Sequence, residues 1–351
     1  MKRFAYILSI GISAIISCTD SPGTYYPRYS TFPNEKAISA RVIELDTALF
    51  RYPFRGGGKD RIAIVMDLHN ADNYFHAFTY PNWKHIVSFG KRGEGPEEML
   101  SAETFQFNSL DSIYALDANK MQISRWAISA KDHSATRQEV IRLDKNLIRS
   151  LDFCATDSCF LIPDYLGEHR YWQVNYNGKP IRSIGKIPTE KDLASEIRPA
   201  LAQAWRSFID YNPHNGILAM VTQLEESIEI YNTKENTHTV LYGPNGEPRF
   251  KSIKGEGFPT GIMGFSDIVI TDKYIYSVFQ GIRFKDKLAS YQRGEKPEDG
   301  GRYIYVFDLK GNPIQKYTLD KPIYGIDINE KTKTVIATCV ESDEPIMEFK
   351  I

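Results

Sequence analysis

The chain has 351 residues, with 43 Lys and Arg set against 44 Asp and Glu and a net charge of −1. That balance leaves no basic excess to neutralise phosphates, so a nucleic-acid partner is not expected. A hydrophobic fraction of 42% supports a substantial core and excludes a largely disordered chain, and 21 Tyr with 19 Phe favour pleated, half-buried sheet surfaces.

The N-terminus carries the first element. Lys2 and Arg3 precede an apolar run from Phe4 to Ile16, interrupted only by Ser9, Gly11 and Ser13. The run is shorter than the roughly 20 apolar residues a bilayer span requires. With its positive leader and the small Ser17 at its end, it reads as a secretion signal over residues 1–17. Ile15-Ile16-Ser17-Cys18 resembles the lipobox of bacterial lipoproteins. The resemblance implies cleavage before Cys18 and lipid attachment on that cysteine. The mature chain is then expected to be anchored to a membrane and not to span it, because no later stretch reaches spanning length. Thr19 stands where inner-membrane retention would place Asp, which implies an outer-membrane lipoprotein on the periplasmic or surface face. Asp20 alone is a weak match to the acidic surface-export signal of Bacteroidetes lipoproteins.

Residues 18–40, with Ser-Pro-Gly, Tyr-Pro and Phe-Pro-Asn and little periodicity, read as a tether. From residue 41 onward, short β-branched and aromatic runs alternate with turn residues. Examples are 61–66, 74–80, 85–89, 112–116, 216–221, 228–231, 274–278, 303–307 and 334–338. A loose repeat of strand, Asp or Asn turn, and second strand recurs at 111–126, 171–184 and 303–319, with Asn-Gly and Lys-Gly-Asn supplying the positive φ of tight hairpins. Divided by six, residues 41–351 give roughly 52 per blade, slightly long for propeller repeats. The pattern predicts an all-β fold, a six-bladed β-propeller over 41–351. Residues 41–46 are expected as the outer strand of the last blade, closing the ring with the terminal run 345–351.

One insertion breaks the β pattern. Leu193, Ile197, Leu201 and Trp205 at four-residue spacing predict a short helical insertion near 188–206, with Thr189 or Asp192 as caps and Pro199 able to split it. Its two readings are a helix packed on the rim and a lid or partner surface. Cys154 and Cys159 flank a turn-like Ala-Thr-Asp-Ser. They either pair as a disulfide across a hairpin or stand as separate thiols, and both alternatives remain open. Cys339 lies in an alternating run and reads as a small core residue.

Ser88-Phe-Gly-Lys-Arg-Gly-Glu-Gly-Pro-Glu-Glu-Met-Leu100 resembles a signature loop of six-bladed propeller lipoproteins of Bacteroidetes, as does the stretch from Arg302 to Tyr324. The resemblance is to the TolB-like, or BF3164-like, family and spans most of residues 40–351. It implies a six-bladed propeller in an outer-membrane or periplasmic setting, and it brings no catalytic residues with it.

Candidate chemistry is sparse. Arg92, Gly93, Gly95 and Pro96 form a loop whose amides could converge on an anion, or whose glycines serve a tight turn capped by Glu97 or Glu98. His69, His76 and His85 fall in the first blade but match no metal spacing. Asp67 and Asp272 lack the dense spacing of a calcium loop, and no nucleophile elbow is present. No catalytic, cofactor or metal residue is assigned. The expected role is a binding or scaffold module in the cell envelope for a protein, peptide or glycan. The alternative is a hydrolase or lyase with its site in the central channel, which requires acidic and His side chains to converge there.

Overall fold

The computed structural model of the chain describes residues 26–45, 50–59, 61–191 and 197–351. Two N-terminal strands, β1 (Glu35–Ile38) and β2 (Arg41–Ile43), are followed by six antiparallel sheets laid down in order. Blade 1 comprises β3 (Pro53–Lys59), β4 (Ile62–Asp67), β5 (Asn73–Thr79) and β6 (His85–Lys91). Blade 2 comprises β7 (Ala102–Ser109), β8 (Ser112–Asp117), β9 (Gln122–Ser129) and β10 (Ser134–Arg142). Blade 3 is the shortest, with β11 (Cys154–Ala155), β12 (Phe160–Pro163), β13 (Tyr171–Val174) and β14 (Pro180–Ile184). Blade 4 comprises β15 (Ser207–Asn212), β16 (Ile217–Thr222), β17 (Ser227–Asn232) and β18 (Thr237–Tyr242), and a separate hairpin of β19 (Phe250–Ile253) and β20 (Glu256–Pro259) follows it. Blade 5 comprises β21 (Phe265–Ile270), β22 (Tyr274–Phe279), β23 (Gly301–Asp308) and β24 (Pro313–Ile323). Blade 6 comprises β25 (Ile326–Asn329), β26 (Thr334–Thr338) and β27 (Ile346–Lys350) and is completed by β2.

The ring follows from where the apolar residues lie. The second strands β4, β16 and β26 are buried along their whole length, so each blade has two apolar faces and must be sandwiched between neighbours. Six apolar clusters meet this demand, one at each junction. Ile64, Phe75 and Trp126 join blades 1 and 2, and Leu116, Phe160 and Ile162 join blades 2 and 3. Leu161, Leu218 and Met220 join blades 3 and 4, and Val221, Phe265 and Phe307 join blades 4 and 5. Val278, Val335 and Phe349 join blades 5 and 6, and Ile43, Val65, Phe78 and Ile346 join blade 6 back to blade 1.

Closure is made by the N-terminal segment. β2 pairs antiparallel with β27, Val42 opposite Met347 and Ile43 opposite Ile346, which places the outer strand expected at 41–46 over residues 41–43, with Asp46 outside the described residues. The tether expected up to residue 40 is shorter than the sequence reading. Tyr29 N donates to Tyr242 O and Tyr242 N to Pro27 O, and β1 then lies parallel on β24, Lys36 opposite Tyr317. The physical reason is the open edge of the long strand β24, whose unpaired groups β1 satisfies. Residues 26–43 therefore form a strap across the outer edges of blades 4, 5 and 6. The secretion signal and Cys18 lie outside the described residues.

In a meander, the turn from second to third strand and the crossover to the next blade lie at the end where the inner strand begins; this is called here the crossover face. The inserted elements all sit there. Helix α1 (Arg198–Ala204) occupies the crossover from blade 3 to blade 4. Pro199 stands in its first turn, where its missing N–H costs nothing. Leu201 and Trp205 are buried, Ile197 is the N-cap, and Leu193 and Asp192 lie outside the described residues. The hairpin β19–β20 fills the next crossover. A second helix, α2 (Phe284–Gln292), lies between β22 and β23 and was not anticipated from the sequence; Phe284, Leu288 and Tyr291 carry its helical spacing.

Because the seam is closed by so short a strand, it is a sensitive point. Ile43→Ala is expected to lower unfolding free energy by about 2–4 kcal/mol, read as a lower urea midpoint at unchanged slope. Val42→Ala, at a side chain 41% exposed, should leave the midpoint nearly unmoved.

Candidate functional site

The inner strands β3, β7, β11, β15, β21 and β25 surround the axial channel, a cavity of about 180 Å³ lined by Arg55, Gln106, Asp152, Asp210, Asp267 and Asp327 among others. Their channel-facing edges leave backbone N–H groups without a ladder partner, and the polar side chains meet that need. Asp152 accepts from Ile209 N (3.1 Å), Asp210 from Ile270 N (2.6 Å), Asp267 from Ile326 N (2.8 Å) and Asp327 from Gly58 N (2.6 Å). Gln106 accepts from Ala155 N. Each bond runs from one blade to the next. The remaining junction, blade 1 to blade 2, is closed by Arg55 Nη1 donating to Thr104 Oγ1 at 2.9 Å. Asp152, Asp210 and Asp327 also accept from the following residue's N–H, those of Phe153, Tyr211 and Ile328. A Cβ at Gly58 would lie 3.2 Å from Ile336 Cδ1 and 3.5 Å from Asp327 Oδ2, so a bare backbone suits the approach.

Lys59 lines the channel beside Asp327, and Arg55 is a buried cation within this ring. Its guanidinium lies 3.2 Å from Asp152 and 3.8 Å from Asp267, and it packs over the Phe208 ring at 4.9 Å. Burial pushes every one of the four aspartates upward, Asp267 to about 6 despite Arg55 and Asp210 to about 7, where the charges of Asp267 and Asp152 add to the effect. The acidic side chains that a channel enzyme would need therefore do converge, but without His, and as backbone acceptors binding blade to blade.

The loop at Arg92, Gly93, Gly95 and Pro96 is filled from within. Gly95 N donates to Glu98 Oε2 at 3.0 Å, and Lys91 Nζ lies 2.7 Å from Glu98 Oε1. A Cβ on Gly93, at φ +153°, would fall 2.0 Å from the same carboxylate. Arg92 turns away to donate to Asn70 O at 2.9 Å and stacks on Tyr74. Lys120 Nζ and Arg137 Nη2 donate to the carbonyls of Gly95 and Pro96, tying the loop to blade 2. Of the histidines, His76 and His85 share the Ser88 hydroxyl at 2.8 and 3.0 Å, while His69 lies against Tyr52 elsewhere. Burial lowers His76 to about 4, so it is neutral. Asp67 accepts from the N–H groups of Tyr52, His69 and Asn70, and Asp272 from Asn212 Nδ2, with His214 Nδ1 3.0 Å away.

Cys154 and Cys159 are buried free thiols, as is Cys339. Cys154 is registered with Leu161 and Ala155 with Phe160, so the two cysteines sit diagonally on the hairpin and not directly opposite.

A second cavity lies on the crossover face. It measures about 500 Å³ and is lined by Glu103, Arg149, Tyr165, Gln203, Arg206 and Glu256, with Met121, Ile148 and Leu151 as its apolar part. The Tyr165 hydroxyl and Arg206 Nε are buried without a hydrogen-bond partner, and Tyr165 is only 8% exposed. Burial pushes the Tyr165 hydroxyl up, so it is a neutral donor, and it pushes the Glu103 carboxyl up against the pull of Arg206. Unpaired buried donors cost about 1–3 kcal/mol each, which a polar occupant would relieve. Arg149 and Arg206 come from the two crossovers flanking blade 3 and Tyr165 from the turn between its second and third strands, so no local motif announced them.

The shifts in the channel set a pH dependence. Asp210 has a folded value of about 7, above its unfolded value near 3.8, so its contribution to stability is complete below pH 4 and is lost as pH rises to 7. Relative to the parent, Asp210→Asn is expected to gain stability progressively between pH 4 and 7, by up to about 1.4 kcal/mol per unit of raised pKa. Urea titrations across that range measure the difference; a constant offset would contradict the assignment.

The family pattern described as TolB-like 6-blade propeller-like matches residues 31–331. No curated protein matches the chain in sequence. Among solved structures, a member of the DUF4221 family from Bacteroides vulgatus superposes with a TM-score of 0.55 at 11% identity, covering 90% of this chain and 97% of its own. A Bacteroides fragilis protein described as exported gives 0.52 at 11% identity, covering 92% and 98%. The WD40 repeats of RRP9 give 0.52 at 8% identity, covering 90% and 99%. At these identities the likeness concerns the fold alone. The family pattern runs through the first five blades and reaches β25 of the sixth, and the chain belongs to the TolB-like six-bladed propeller family.

Proposed function

We propose that this chain is an outer-membrane lipoprotein of the BF3164-like type, acylated on Cys18, and that its propeller is a binding module for a protein, peptide or glycan carrying an anionic group. The observation that carries the reading is the crossover-face cavity. Arg149 and Arg206 line it without an ion pair among the described residues, beside the unpartnered Tyr165 hydroxyl. A guanidinium fork next to a neutral hydroxyl donor suits a carboxylate, and the apolar wall of Met121, Ile148 and Leu151 suits a sugar or side-chain face. The signal sequence and the lipobox support the location, as does the absence of a described helix long and apolar enough to cross a membrane.

A channel hydrolase or lyase is the weaker reading. Its acids would be Asp152, Asp210, Asp267 and Asp327, each of which already accepts from backbone N–H groups at a blade junction.

Glucuronate, galacturonate and a short acidic peptide serve as calorimetric probes. Binding of at least one is expected, weakened about tenfold or more by Arg206→Gln, in keeping with hydrogen bonds to charged groups. Tyr165→Phe should weaken it by a smaller factor. Binding untouched by both substitutions, or no binding of any anionic probe, would contradict the proposal.

A further inference from the structure

The hairpin β19–β20 has one satisfied face and one bare face. Its strands pair Lys251 with Phe258 and Ile253 with Glu256 across a turn at Lys254 and Gly255, both at positive φ. Pairs two residues apart share a side of a hairpin, so Lys251, Ile253 and Phe258 project together, with Glu256 beside the turn also reaching the rim of the crossover-face cavity. The opposite side, at Ser252 and Gly257, docks on α1. Gly257 N donates to Gln203 Oε1 at 2.9 Å, and a Cβ on Gly257 would lie 2.6 Å from Ala200 O. The projecting side leaves Ile253 53% and Phe258 49% exposed, flanked by the exposed Lys251 and Lys254.

The N-terminal strap brings this hairpin to the lipid anchor. Tyr26, the first described residue, packs in one cluster with Tyr242, Trp205 and Phe250, the first residue of β19. Eight residues lead from Cys18 to Tyr26, a length that spans at most about 29 Å. If Cys18 carries acyl chains, as the proposed function holds, the bilayer surface is within that distance of the hairpin base. We propose that the bare side of β19–β20 is a second membrane contact, with Phe258 and Ile253 entering the headgroup boundary and Lys251 and Lys254 meeting lipid phosphates. An aromatic and an aliphatic side chain bracketed by lysines is the composition that seats at that depth. The contact would fix the orientation of the propeller on the membrane, with its crossover face tilted toward the lipid at blade 4.

The test uses the full acylated protein reconstituted on vesicles of phosphatidylethanolamine and phosphatidylglycerol. Spin labels are placed at Ile253→Cys and Phe258→Cys, with Ile181→Cys on the rim of blade 3 as control. The native thiols Cys154, Cys159 and Cys339 are buried and do not compete for label. The expected result is a several-fold higher ratio of oxygen to nickel-chelate accessibility at 253 and 258 than at 181, lost when Lys251 and Lys254 are both changed to Glu. Protein that is acylated by mass and bound to vesicles, but whose 253 and 258 labels match 181, would overturn the contact and leave the anchor standing. Protein unacylated at Cys18 would overturn both. Labels shielded from both agents without vesicles would assign the hairpin to a protein contact and overturn the membrane proposal.

Discussion

The structure depends on one repeated interaction: a side chain on the inner strand of one blade accepting the unpaired backbone N–H of the next. A propeller exposes six inner strand edges to its channel, and each edge carries donors that sheet pairing cannot reach. Asp152, Asp210, Asp267, Asp327 and Gln106 answer five junctions in this sense, while the sixth is bridged differently, by Arg55 donating to the Thr104 hydroxyl. The apolar clusters between blades supply the burial, but they slide easily; directional bonds at the axis fix the angle of one blade to the next.

That use of the channel separates structure from recognition. Four buried carboxylates around one guanidinium are costly charges, and their upward shifts record the cost. Their oxygens are engaged where they stand. The crossover face differs in kind. There the crossovers are long enough to hold α1, the hairpin and the approach to a cavity, and there polar atoms lack partners. Loops on a rigid ring can vary without disturbing the junctions, which is the usual division between scaffold and site.

What the sequence revealed follows the same division. The runs read as strands from alternation and β-branching, such as 61–66, 216–221 and 334–338, fall on second strands buried on both faces. The inner strands were missed because an Asp, a Gln or glycines interrupt them: Arg55-Gly-Gly-Gly58, Phe105-Gln-Phe107, Ile209-Asp-Tyr211 and Ile326-Asp-Ile328 do not look like a core. A polar residue set between two apolar ones, recurring in blades 2, 3, 4 and 6, was the available signal. The loose repeat was genuine but out of phase. Its copy at 111–126 covers the second and third strands of a blade, whereas those at 171–184 and 303–319 cover the third and fourth. β1 escaped notice because a four-residue edge strand soon after Pro33 has no periodicity to read, and its partner β24 lies 281 residues away in sequence. The Gly93 loop was legible in its chemistry; Glu98 fills it, as a capped turn requires. The cavity of Arg149, Tyr165 and Arg206 was not legible, since nothing local relates two crossovers and a turn that only the fold brings together.

Amide hydrogen exchange at the junctions tests the central claim most directly. In Asp267→Ala, which removes the acceptor for Ile326 N, protection at Ile326 should fall sharply and opening should begin between blades 5 and 6, while amides within the second strands keep theirs. Unchanged protection at Ile326, or a loss spread evenly over all six blades, would contradict a ring held by directed bonds at its axis.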